Sequence, residues 1–247
     1  MRQPIARTTT HPAARLARWL TALLAAVLPP AFAQVPQPTG PGAPASAASS
    51  APSEAERLVF TQDHLANSRQ PRALRYTYVE EAEGQPRVTD RAVLTLSAGA
   101  DGRCCEVHGD YLSGVLAVNL PDVPQARGNP LLLYFLEGEV RRLQRTTSGQ
   151  AAHFRRRMRQ SLADTATVTD TTVQWGGRQV PARLVRVAPF VDDPFRGRFQ
   201  DQAGTEYVFV LSDAVPGSVY QLRALVPGAT AGAAPRAART LTLDASN

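Results

Sequence analysis

From Leu74 onward the apolar positions fall on every second residue, Leu74, Tyr76 and Tyr78 alternating with Arg75 and Thr77. A period of two belongs to a strand with one buried face. Segments 74–81 and 87–97 both carry it and are separated by Gly84, Gln85 and Pro86, so they predict a hairpin. Residues 104–112 and 115–120 predict two shorter strands divided by Ser113-Gly114, and Pro121 and Pro124 then close the strand pattern. Upstream, residues 54–68 carry a weaker helical period that ends near Asn67.

At Asn129 the period changes. Asparagine caps free helix amides, and proline in the first turn lacks the amide that would go unpaired, so Asn129-Pro130 predicts a helix start. Leu132, Leu136, Val140 and Leu143 then share one face, with Phe135 on its edge. Residues 131–136 are apolar nearly all round, which predicts deep burial of that end. Ser148-Gly149 breaks the helix, and a second one is expected from 150 to about 164, with Ala151, Phe154, Met158 and Leu162 on one face.

Alternation returns in 165–175 and 178–190, which flank Gly176-Gly177, and in 205–213 and 218–227, which flank residues 214–217. Both pairs predict hairpins. The order of elements predicts an α+β domain with a largely antiparallel, strongly curved sheet, in its extreme form an open half-barrel. A two-helix insertion would separate two sets of about four strands and pack on the concave face.

The two ends read differently. Arg2, Arg7, Arg15 and Arg18 precede an apolar run, 19–28, that is shorter than the ~20 residues of a membrane span. Ala31-Phe32-Ala33 follows as a small-x-small cleavage signal, so 1–33 is expected to be a signal peptide and the exported protein to begin at Gln34. Residues 34–53 are uncharged and rich in Pro, Ala and Ser, a linker too poor in apolar surface to fold. The domain is expected over 54–227, with 228–247 as a flexible tail holding at most one edge strand.

Composition adds one correction to a first impression. The chain has 27 basic and 21 acidic residues, but removing the four arginines of the leader leaves 23 against 21. The basic balance therefore does not point to nucleic acid. A periplasmic or secreted location is expected, with no membrane span in the exported form.

Three stretches, NPLLLYFLEGEVRRLQR, QAAHFRRRMRQSLAD and VFVLSDAVPGSVYQLRALVP, resemble a family of secreted or periplasmic proteobacterial proteins that carries no assigned activity. The resemblance covers about residues 70–227. In element order alone, the chain is also similar to the periplasmic lipoprotein carriers and their outer-membrane receptor.

Four features are candidates for function. In the strand GRCCEVHGD, alternation sends Cys105 and Val107 one way and Cys104, Glu106 and His108 the other. The two cysteines are then expected not to bond to each other, since a disulfide needs converging Cβ atoms. Cys104, Glu106 and His108 form a candidate metal set, and an exposed Cys104 a candidate crosslink between chains. The second feature is the arginine-rich helix pair. Arg155, Arg156 and Arg159 stand out there, because like charges four apart, as in Arg155 and Arg159, repel. They fit an anionic lipid or an acidic envelope protein, or else a solvated face paired with carboxylates such as Glu137. Third, in the loop 189–204, Asp192, Asp193 and Asp201 are candidate calcium ligands. Its phenylalanines Phe190, Phe195 and Phe199 form either an exposed contact surface or a lid folded onto the core. Fourth, Tyr76 and Tyr78, with the helix faces, are the expected walls of an apolar cavity.

No nucleophile elbow, phosphate loop or zinc-protease helix appears in the sequence. The expected function is a non-catalytic binding or carrier module of the cell envelope for a lipid-like or peptide ligand, with no cofactor. The alternatives are a metal-assisted hydrolase around His108 and a protein–protein adaptor acting through the arginine-rich helix.

Overall fold

The computed structural model describes residues 51–230 and 232–245. The expected signal peptide and most of the expected linker lie outside the described residues. Three helices and eight strands follow one another as α1 (Glu54–Glu56), β1 (Arg72–Ala82), β2 (Val88–Ala98), β3 (Cys104–Tyr111), α2 (Leu131–Thr147), α3 (Ala151–Asp164), β4 (Thr167–Trp175), β5 (Arg178–Val187), β6 (Glu206–Leu211), β7 (Val219–Val226) and β8 (Ala237–Leu243). The strands form one antiparallel sheet in the order β3-β2-β1-β8-β7-β6-β5-β4. Its outer strands, β3 and β4, do not pair with each other, so the sheet is not closed into a barrel.

Alternation does the positioning. In β1, Leu74, Tyr76 and Tyr78 are buried, and in β2 so are Ala92, Leu94 and Leu96. Registered neighbours extend these rows across the sheet: Tyr78 faces Leu241, Leu241 faces Leu222, Leu222 faces Phe209, and Phe209 faces Val185. The apolar face of α2 completes the core with Leu131, Leu132, Phe135, Val140 and Leu143, and α3 adds Phe154, Met158 and Leu162.

The helix signals act as expected. The Asn129 side chain accepts the Leu131 amide at 3.0 Å and also donates to Tyr76 and to the Gly217 carbonyl. At the break, Ser148 adopts φ 54°, and any Cβ on Gly149 would collide with the Phe154 ring. Only glycine lets the chain turn so close to α3.

Four expectations need correction. Residues 237–243 are not a tail or an edge strand but lie in the middle of the sheet, bonded to β1 on one side and β7 on the other. Their inward set is Arg239, Leu241 and Leu243, and the arginine in the core row masks the alternation. Residues 115–120 are not a strand. They hold a 3₁₀ turn, Gly114–Leu116, and the following segment meets β3 at single points, Val118 with Tyr111, Val123 with Val107 and Ala126 with Cys105. Three strands therefore precede α2 and five follow α3.

The N-terminal helix is also shorter than its pattern suggests. Ser53 caps it, and it passes into a π-turn, Arg57–Thr61, and ends there. Lastly, Cys104 and Cys105 are joined in a disulfide. Their Cα atoms lie 3.0 Å apart and their sulfurs are bonded, in place of the divergence expected of neighbours on a regular strand. The pairing of β2 with β3 slips at this point, Ser97 facing Glu106 and Ala98 facing Cys104.

Candidate functional site

The residues singled out in the sequence do not converge on one place. Tyr76 is fully buried and held by Asn129, and Tyr78 is buried and donates to Glu80 at 2.8 Å. Burial raises the pKa of both phenols, the Glu80 carboxylate adding to the effect at Tyr78. The space that they were expected to line is filled by α2, so Tyr76 is a core residue. Beside Tyr78 only a hollow of about 20 Å³ remains, room for a single water.

At the cysteine strand the proposed ligand set is dismantled. The Cys104 sulfur is used in the disulfide. His108 turns Nδ1 to Asp122 at 2.7 Å and Nε2 to Asp110 at 3.4 Å, and the Asp122 hydrogen bond raises its pKa. Glu106 is half-buried and takes no part. The three aspartates of the loop also separate, Asp193 to His153 and Asp201 to Arg236. Among the described residues, no group of three or more His, Cys, Asp or Glu side chains is placed to hold a metal ion.

The arginines of α3 divide by position. Arg155 makes a two-point contact with Glu137, at 3.0 and 2.8 Å, and this pairing raises its pKa. Burial opposes the charge on Glu137, but Arg155 and Arg141 outweigh it and hold the carboxyl below its ordinary range. Arg156 faces away, toward His153. Arg159 stands with Arg155 at the rim of an apolar hollow of about 270 Å³ between α2 and α3.

That hollow is where the α2 pattern was misread. An end that is apolar all round was expected to be wholly buried, yet Leu133 is 51 % exposed and Leu136 only half-buried. They flank the face that meets the sheet and line the hollow together with the buried Val140. Met158 of α3, Phe60 and Leu120 extend its walls. Phe60 and Leu133 continue into a neighbouring hollow of about 180 Å³ beside Arg127.

No known family model matches the chain, and neither does any curated protein. The groove must therefore be read from its own residues. Its floor is hydrocarbon, and its rim carries Arg155, Arg159 and a single carboxylate, Glu137, which Arg155 engages. Such a surface binds an apolar body by burial and an anion by charge. Among the described residues, no helix is long and apolar enough to cross a membrane.

Proposed function

We propose that the protein is an exported, non-catalytic binding or carrier module of the cell envelope, and that the groove between α2 and α3 takes a lipid-like anion. The apolar side chains that α2 leaves open beside its core face, Leu133 and Leu136, carry this reading. One helix face suffices for the core, and apolar side chains left to water beside it cost free energy unless something covers them. Together the two adjoining hollows fall in the ~300–1,000 Å³ range of small-ligand clefts. Arginines outnumber carboxylates two to one at the rim, which favours an acyl chain ending in a carboxylate or phosphate.

The lining consists of apolar side chains, guanidinium groups and one carboxylate already engaged by two arginines. These groups bind; they supply neither a nucleophile nor a free base. Export rests on the basic segment and short apolar run before Ala31-Phe32-Ala33. The finer architecture that suits a carrier, a strongly curved sheet with the helix pair on its concave side, belongs to the same proposal, as does the likeness in element order to lipoprotein carriers.

Native mass spectrometry of the protein recovered from its own cell envelope tests the reading. A bound acyl anion is expected, on a chain that begins at Gln34, and Leu133→Asp should abolish the adduct without unfolding the protein. An intact Met1 would overturn the export. Recovery of ligand-free protein that also ignores added oleate, or that takes up only an acidic peptide, would overturn the lipid assignment.

A further inference from the structure

A second hollow, of about 390 Å³, opens where the loop after β5 meets the first turns of α3, away from the apolar groove. Its construction is polar and layered. Asp193 is buried beneath it, with 2 % exposure. One carboxylate oxygen accepts the Phe195 amide at 2.8 Å, and the other accepts from His153 Nε2 at 2.7 Å, with Arg157 3.2 Å away. Arg157 is itself anchored on the Pro189 carbonyl. The loop is pinned from below by Phe190 and Phe199, whose rings pack edge-on against Phe154 at 5.8 and 5.6 Å.

This anchoring settles the imidazole. Nε2 donates to Asp193, while the neighbour of Nδ1 is the Arg156 guanidinium, 3.3 Å away. A guanidinium can only donate, so in this contact Nδ1 is placed to accept. The wall of the hollow then presents two arginines, Arg156 and Arg198, a fixed histidine and no carboxylate. Asp193, the acid underneath, already faces His153 and Arg157. Neither Arg156 nor Arg198 has a carboxylate partner among the described residues. Phe195 is 52 % exposed on the same wall, its ring centroid 5.8 Å from the Arg198 guanidinium carbon and 5.6 Å from that of His153.

We propose that this hollow is a binding site for a small anion, a carboxylate or phosphate carried on a flat apolar body. The anionic oxygens would meet the guanidinium groups of Arg156 and Arg198, whose donor forks match either group. The flat body would cover the exposed face of Phe195. The site is separate from the α2–α3 groove, and the proposal does not depend on what that groove binds.

Calorimetric titration of the purified protein at low salt with benzoate, phenyl phosphate and inorganic phosphate provides the test. Benzoate or phenyl phosphate should bind, the tighter of the two identifying the headgroup. Arg156→Gln and Arg198→Gln should each weaken binding roughly tenfold, the worth of one charge-assisted hydrogen bond. Phe195→Ala should weaken both aromatic probes and leave inorganic phosphate unchanged, whereas Leu133→Asp in the other groove should change nothing. Melting curves will show whether each variant is folded; these side chains lie at the surface, so folding should be kept. No binding of any probe at millimolar concentration would overturn the proposal. So would full binding by the folded Arg156→Gln/Arg198→Gln double variant.

Discussion

Glu139 and Arg239, a hundred residues apart in the chain, meet in a two-point contact of 2.8 and 2.6 Å beneath α2. Both are nearly inaccessible, at 5 % and 2 % exposure. The pair pins the middle of the sheet to the helix above it. Removing one partner leaves the other charge buried and unmatched, which typically costs about 3–5 kcal/mol. Glu139→Gln and Arg239→Met should each lose stability on this scale in urea titrations. The double variant Glu139→Leu/Arg239→Met should recover most of it, because two apolar residues carry no desolvation penalty. A double variant as weak as the sum of the singles would contradict this account.

His64 gives the protein an acid limit. Its Nε2 donates to the Leu58 carbonyl at 2.7 Å and its Nδ1 accepts the Asn129 amide at 3.2 Å, an arrangement open only to the neutral ring. Burial lowers its pKa below 6.5, against the Leu58 hydrogen bond. The unfolded chain therefore binds this proton more readily than the native one. The contribution is fully present above the unfolded pKa and is lost as pH falls from about 6.5 through the lower native value. Stability measured from pH 7.5 to 5 should fall in that window, and His64→Gln should flatten the slope.

On α2, adjacent leucines should behave oppositely. Leu132 is 2 % exposed, so Leu132→Ala should cost about 2–5 kcal/mol. Leu133→Ala, at the open groove, should stay within about 0.5 kcal/mol. Paired thermal melts decide it. Equal losses would mean that the groove is closed in solution.

The cysteine bond makes a chemical prediction. Denatured without reductant, the chain should take up no alkylating reagent, and its intact mass should be two hydrogens below the reduced value. Reduction should release both thiols together. Labelling of Cys104 alone, or a disulfide-linked dimer, would contradict the bond between Cys104 and Cys105.

The sequence is legible wherever one physical rule acts alone. Strands β1, β2, β5 and β7 follow from simple alternation and β4 and β6 from the turns that bound them, and both long helices from their apolar faces and from the Asn129 and Ser148-Gly149 signals. It fails where a second rule intervenes. Arg239 occupies a core position only because Glu139 waits on α2, a partner no local pattern reveals. Alternation from Cys105 onward matches the observed burial, but the disulfide joins Cys104 to Cys105 against it. Leu133 was visible in the run 131–136, but total burial and an exposed flank look alike in sequence. His153 gave no signal at all, because Asp193 reaches it from 40 residues away.

The position of β8 governs when the fold can be completed. Strands β1 to β3 and β4 to β7 form two separate ladders, joined in the sheet by β8 with its neighbours Arg236 and Asp244. In chain order these residues follow the other seven strands, so they are made after them. Until they emerge, the growing chain holds two half-sheets whose inner borders, β1 and β7, are bare and open to pairing with other chains. Strand β8 thus acts as a keystone. A chain stopped short of it has no way to join its two half-sheets.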